Sequence, residues 1–373
     1  MDTIRSETDS GTLATTAKAG QFAKVYGVLQ EAIDSRAFPG CAFGVLAGAD
    51  VVLSDALGNF TYEQDAPAVE AETVFDVASL TKVVATTAIA MILHQRGELQ
   101  FETPVGELLP GFVIGRVNSE FARRVTLRNL LAHNSGLPGY VELFRTQATS
   151  SALLRACLGL PVEVCPGERS EYSDPGFILL GKALEILNRE SLTAAARKGI
   201  FEPLGMTATC YRPVRPRWHQ IPPTEIDESF RHRTIQGEVQ DENAWVLDGV
   251  AGHAGVFSNV PDLLRFAAGI LAGYSGGSGI FSRETVELFA ERQLPAGSSR
   301  ALGWDTPSEE TSAGKHFSKH SIGHLGYSGC SLWIDLDASI AAVLLTNRTW
   351  PDRRNQAIRQ VRPRFHDAVR ESL

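Results

Sequence analysis

Cysteine and methionine are scarce in this chain: of 373 residues, five are cysteine and three methionine. Cys41, Cys157, Cys165, Cys210 and Cys330 are scattered, odd in number and without a C-x-x-C pair. Neither a disulfide framework nor a zinc site is indicated, and buried reduced thiols are the expectation. Long apolar runs are missing too. A membrane span needs roughly 18 such residues, whereas the run from Val83 to Leu93 is short and holds two threonines. Met1 to Gly20 lacks the basic and apolar regions of a secretion leader and reads as a disordered start, so a cytoplasmic location is expected. Basic excess is absent: 35 Lys and Arg face 43 Asp and Glu, a formal charge of −8, which argues against a nucleic-acid partner. The short pairs Arg123-Arg124 and Arg353-Arg354 read as solvated surface. The nine histidines show no metal-ligand spacing. Gly176 to Lys182 has phosphate-loop spacing, but Ala183 stands where Ser or Thr should hold the metal ion, and apolar helix fills the middle. No metal, cofactor or membrane is expected, and the oligomeric state stays open.

What is present suggests an α+β fold. Phe22, Val25, Tyr26, Leu29 and Ile33 recur at helical spacing and stop before Pro39-Gly40. Two strand-like runs, Cys41 to Leu46 and Val51 to Leu57, flank a turn. A second pair, Ser331 to Asp335 and Ile340 to Thr346, lies near the other end, followed by a basic, partly helical tail interrupted at Pro363. Helical patterns fill the middle: 80–97, 127–133, 151–159, 176–188 and 191–200. One antiparallel sheet built from both ends of the chain is expected, with a mostly helical lobe inserted in it. The division drawn is 21–82 with 235–373 for the sheet part and 83–234 for the helical part.

Three stretches could carry chemistry. Ser79-Leu80-Thr81-Lys82 opens an apolar helix, so Ser79 and Lys82 share a face with Cβ atoms roughly 5–6 Å apart. The helix start favours developing negative charge at Ser79. The bland alternative is an N-capping serine beside a surface lysine. A second S-x-x-K copy, Ser312 to Lys315, lies in a glycine-containing loop with no helix to align it. Tyr172-Ser173-Asp174 precedes Pro175 and another apolar helix. A tyrosine beside a lysine can serve as a base, though a turn at a helix start would also explain it. Gly323-His324-Leu325-Gly326-Tyr327-Ser328-Gly329 precedes the strand from Ser331. Small residues there admit a ligand, and a main-chain N–H can face an oxyanion.

Together the three motifs resemble the serine β-lactamase and penicillin-binding protein superfamily in its class C-like branch, which includes D,D-peptidases, D-aminopeptidases and family VIII carboxylesterases. The resemblance runs over about residues 22 to 350. It extends to the run Arg128 to Pro138 (RNLLAHNSGLP), to Pro203-Leu204-Gly205-Met206, and to Gly252 to Ser258 (GHAGVFS) before the helix from Asp262. It implies Ser79 as acylated nucleophile, Lys82 as its proton partner and Tyr172 as the base of the second motif, with the choice between Lys82 and Tyr172 open. It implies an oxyanion hole from the N–H groups of Ser79 and Tyr327, with His324 and Gly326 on the wall and Tyr140 near the acyl pocket. Two departures matter. Asp174 replaces the usual Asn and can only accept hydrogen bonds when ionised, which predicts weaker recognition of penicillin-like amides. His324 replaces the lysine of many β-lactamases and predicts a donor that titrates near neutrality. The leading expectation is a cofactor-free acyl-serine hydrolase of small substrates: short-chain esters first, with weak β-lactam hydrolysis. A D-amino-acid-directed peptidase is the alternative, and a non-catalytic scaffold of the same fold the third.

Overall fold

Residues alternate along the first long strand: Cys41, Phe43 and Val45 point one way, Ala42 and Leu46 the other, and all are buried. Such a strand needs cover on both faces. The computed structural model, which describes residues 20–116, 119–309 and 311–373, supplies it. The disorder expected for 1–20 falls, except at Gly20, outside the described residues. The strands are β1 (Gly40–Ala47), β2 (Asp50–Gly58), β3 (Ser321–Leu325), β4 (Ser331–Asp335) and β5 (Ile340–Thr346). They form one antiparallel sheet in the order β2-β1-β5-β4-β3, with Cys41 opposite Thr346 and Gly323 opposite Trp333. Both ends of the chain thus meet in one sheet, an α+β architecture.

Five helical elements position the rest: α1 (Ala23–Asp34), α2, α3 (Asp174–Asn188), α4 (Val260–Tyr274) and α5 (Ile358–Glu371). The composite α2 opens as a 3-10 turn over Ala78–Leu80, runs as π-helix over Lys82–Thr87 and ends as α-helix over Ala88–Gln95. Val25 and Leu29 of α1 and Val361, Phe365 and Val369 of α5 cover one sheet face with Phe43, Trp333 and Leu344. Leu263 and Leu264 of α4 cover the other face, in a core continuous with the apolar sides of α2 and α3. The interruption expected at Pro363 is not there: α5 runs through it. Burial of the apolar stripe around the proline outweighs the roughly 3 kcal/mol a helical proline costs.

A Cβ added at Gly44 would lie 2.4 Å from Val260 Cγ1 and 2.9 Å from Leu264 Cδ1, so α4 rests directly on the backbone of β1. Gly44→Val is therefore expected to destabilise the protein by about 1–3 kcal/mol through overpacking. A drop in the denaturation midpoint checks it, and an unchanged midpoint would mean α4 can shift freely. The five cysteines are free thiols; Cys41, Cys157 and Cys330 are buried, whereas Cys165 and Cys210 are only half-buried, short of the burial expected.

Candidate active site

The nucleophile motif sits where a short strand, Phe75–Asp76, turns into α2. Val256–Ser258 pairs with that strand on one side and with Cys210–Tyr211 on the other. Ala78, just before Ser79, holds φ at 47°, a left-handed conformation costly for a residue with a Cβ. Buried Asp76 fixes this turn. Its Oδ1 accepts the Ala78 N–H at 2.8 Å and its Oδ2 the Gln240 N–H at 2.7 Å. Burial pushes the Asp76 carboxyl up to about 6 even against these two bonds. The loop Gly252–Gly255 is tied across α2: Thr86 Oγ1 donates to the Gly252 carbonyl at 2.7 Å, and Thr81 Oγ1 accepts the Val256 N–H at 3.0 Å.

Lys82 lies in the π-helical turn with its side chain 0% exposed. Its Nζ donates to Ser79 Oγ at 3.0 Å, to Asp174 Oδ1 at 2.6 Å and to the His253 carbonyl at 3.1 Å. The carboxylate and the carbonyl can only accept and take two of its N–H groups, and Ser79 Oγ accepts the third when Nζ is an ammonium. Burial pulls its pKa down, but the Asp174 carboxylate and the Tyr172 hydroxyl outweigh burial and the net direction is upward. The Tyr172 ring stands 4.7 Å from Nζ. Burial raises the Tyr172 phenol, and the Lys82 charge only partly offsets that.

The loop carrying Tyr172 is held by the His133–Gly139 turn. Ser173 caps α3: its Oγ accepts the Gly176 N–H at 3.0 Å and donates to the Pro138 carbonyl at 2.7 Å. The Ser173 N–H donates to His133 Nδ1 at 3.0 Å, and the His133 ring lies between Tyr172 and Phe177, 4.6 and 4.8 Å away. Burial, with Arg300 and Lys82 nearby, holds His133 neutral. The RNLLAHNSGLP stretch thus carries the support of the second motif. Asp174 begins α3, 15% exposed, as the counterion of Lys82. That employment differs from the substrate-reading role its replacement of Asn suggested.

His324, on edge strand β3, faces the Tyr172 ring at 5.8 Å. Here the titratable donor expected from sequence is corrected. Burial first, then the charges of Lys82 and Arg300, hold the imidazole well below its usual range. It is neutral at pH 7, and because Nδ1 donates to the Leu325 carbonyl at 2.8 Å, Nε2 is left as an acceptor. Gly326 follows; a Cβ there would lie 2.4 Å from the Val77 carbonyl, so this loop presses against the residue two before Ser79.

Ser79, Tyr140, Tyr172, Asp174, His324, Gly326 and Tyr327 line one cleft of about 1150 Å³, with Lys82 buried beneath it. Tyr140 and Tyr327 are half-exposed at its rim. Charged residues of this cleft outside the three motifs were missed, among them Arg300, Asp241, Glu242 and Arg353. Arg300 lies over the Tyr172 ring at 5.2 Å, with its nearest carboxylate, Asp305, at 3.7 Å. Asp241 accepts from His253 Nε2 at 2.8 Å, which holds its carboxyl down at about 2 against the upward push of burial. Arg353 was read as solvated surface; it instead bonds Glu225 and, at 2.7 Å, Glu242. Glu225, Asp227 and Glu242 form a buried acidic cluster that could in principle hold a cation, but Arg231 and Arg353 already meet its charge. The second S-x-x-K copy is structural: the Ser312 carbonyl accepts from His366 Nδ1 at 2.6 Å.

An antiparallel sheet made from both chain ends, an inserted helical body, and a serine, lysine and tyrosine at their junction define a hydrolase of the β-lactamase and penicillin-binding protein fold. The chain belongs to the Beta-lactamase family, whose model matches residues 25–363. It is 30% identical over 305 residues to the "Putative D-alanyl-D-alanine carboxypeptidase" of Escherichia coli (strain K12), covering 74% of this chain and 69% of that protein. It is 29% identical over 342 residues to the N-acetylmuramyl-L-alanine amidase of Bacillus subtilis (strain 168), covering 83% and 77%. In fold it is similar to EstCE1, a hydrolase with promiscuous acyltransferase activity: TM-score 0.77, 22% identity, 95% of this chain and 100% of that one. Among the described residues no helix is long and apolar enough to cross a membrane.

Proposed function

We propose that this protein is an acyl-serine hydrolase acting on small peptide-like amides that carry charge, of the kind found in cell-wall fragments. The observation that carries the reading is the Ser79–Lys82–Asp174 chain of hydrogen bonds, with Tyr172 beside it, at the floor of a cleft lined by both signs of charge. Lys82, held cationic, cannot take the Ser79 proton. The Tyr172 phenol relays it: as Ser79 Oγ bonds to the carbonyl carbon, Tyr172 Oη accepts the serine proton and passes its own to the leaving nitrogen. Negative charge passing through Oη is stabilised by the Lys82 ammonium. The tetrahedral oxyanion sits between the N–H groups of Ser79 and Tyr327, and water then releases the acyl group.

The charged walls favour this substrate class over short-chain esters, for which apolar walls would suffice. Arg300, loosely paired, suits a carboxylate near the scissile bond. His324 Nε2, an acceptor, suits a substrate donor. Two curated relatives have names that place them on amide bonds next to an alanine.

A panel tests it. D-Ala-D-Ala peptides, N-acetylmuramyl-L-alanine amides and p-nitrophenyl acetate and butyrate are assayed with and without the substrate charges blocked by C-terminal amidation and N-acetylation. Charged amides are expected to saturate below about 1 mM, within the usual range of KM, and blocking is expected to cost at least about tenfold in kcat/KM. Saturation by butyrate alone, with no amide turnover, would return the protein to the esterase reading. Inertness toward every acyl substrate would leave the scaffold.

A further inference from the structure

Two buried arginines pack against the third-motif loop, both also reaching the lining of the cleft, and neither takes part in the proton relay. Arg362 of α5 is 7% exposed and Arg348 is 3% exposed. Both donate to the same five-residue stretch, Gly326 to Cys330. Arg362 Nη2 donates to the Gly326 carbonyl at 2.5 Å and the Cys330 carbonyl at 2.8 Å, and its Nε to the Gly329 carbonyl at 3.2 Å. Arg348 Nε donates to the Tyr327 carbonyl at 2.8 Å, and its main-chain N–H to the Ser328 carbonyl at 2.9 Å. Every carbonyl of the stretch is therefore held from one side. Among the described residues neither guanidinium bonds a carboxylate.

Burying two cations without a carboxylate partner is expensive, Arg348 having only carbonyls and the Tyr327 ring at 4.3 Å, and burial pushes Arg362 down to about 9. Neutral donors would hold the loop's shape at lower cost. What a cation adds is polarisation. The Gly326 carbonyl and the Tyr327 N–H belong to one peptide unit, so a cation bonded to the oxygen makes that N–H a stronger donor. The loop is docked on the nucleophile turn by Ser328 Oγ, which donates to the Asp76 carbonyl at 2.7 Å. Among the described residues the Tyr327 N–H has no protein acceptor.

We propose that Arg362 is a positioning residue of the oxyanion site: its guanidinium fixes and polarises the Gly326–Tyr327 peptide so that the Tyr327 N–H stabilises the oxyanion, and Arg348 supports the adjoining peptide. The inference rests on the acyl-serine reading. A boronic acid that adds to Ser79 as a tetrahedral anion probes the site.

In Arg362→Gln, kcat is expected to fall about ten- to hundredfold, less than the loss of a whole donor, with KM within about threefold. Boronate affinity is expected to fall in parallel with kcat, and Arg362→Lys to recover part of both. A folded Arg362→Gln protein with unchanged kcat and boronate affinity would overturn the proposal, as would a kcat loss that boronate affinity does not follow. If Arg362→Gln does not fold, Arg348→Gln decides: a smaller parallel loss supports the clamp, and unchanged values overturn it. A wild-type enzyme that binds no boronate, or binds it equally as Ser79→Ala, would sink the acyl-serine reading itself, a result distinguishable from failure of the clamp.

Discussion

Ser79→Ala is expected to lower turnover of every acyl substrate by at least about a thousandfold while leaving the protein folded. The hydroxyl is small and half-buried, and Lys82 keeps Asp174 and the His253 carbonyl as acceptors when it is gone, so little stability is at stake. The chemistry has no substitute. A water molecule in the space left behind is neither tethered to the turn at Ala78 nor able to form an acyl intermediate, and positioning of this kind is worth many powers of ten. What remains is the oxyanion site, which in serine hydrolases lacking their nucleophile leaves roughly 10³–10⁴ over water. Two measurements check it: steady-state hydrolysis, and intact-mass detection of a fluorophosphonate adduct, expected on wild type and absent in the variant. A variant keeping more than a few per cent of wild-type turnover would move the nucleophile elsewhere.

Much of the framework was legible because it depends on local periodicity. Short apolar runs at Cys41 to Leu46 and Ile340 to Thr346 marked strands, and the apolar stripe after Ser79 placed serine and lysine on one helix face before any contact was known. The unread parts depend on long-range pairing. Arg353 and Arg354 look alike in sequence, yet Arg354 is solvated and Arg353 joins carboxylates more than a hundred positions away. Arg362 looked like part of a basic tail, because nothing local says that α5 lies behind the third motif. Strand β3 was not assigned, since Gly323 interrupts its pattern; the reason for that glycine is the Trp333 indole, 2.2 Å from where a Cβ would stand. The protonation of His324 was misjudged for the same reason: composition gives a side chain its ordinary pKa, whereas burial beside Lys82 and Arg300 sets the actual one.

Asp174→Asn should be the most damaging change that preserves shape. It removes the carboxylate 2.6 Å from a fully buried ammonium and leaves that charge with only a hydroxyl, an amide oxygen and a carbonyl. Breaking a buried pair in this way typically costs about 3–5 kcal/mol. The pH dependence follows from the direction of the Lys82 shift. In the wild type its folded pKa is raised, so the pair's stabilisation is fully present below the unfolded lysine value of about 10.4 and is lost as pH rises through the folded value. In the variant, burial is opposed by Tyr172 without the carboxylate and the folded pKa falls, so the lysine's penalty is full below that folded value and fades as pH rises toward the unfolded value. The stability gap between the two proteins should therefore narrow as pH rises above 7 and close only above the wild type's raised folded value, as read from denaturant midpoints across that range. Activity should drop as well, by at least about a hundredfold at pH 7, because a lysine whose cationic form burial disfavours is a weaker stabiliser of charge passing through Tyr172. A stability gap that does not depend on pH would mean that Asp174 acts by packing alone. Full activity at pH 7 would mean that the ammonium is no part of the proton relay, and the mechanism would have to be rebuilt around a neutral Lys82 as base.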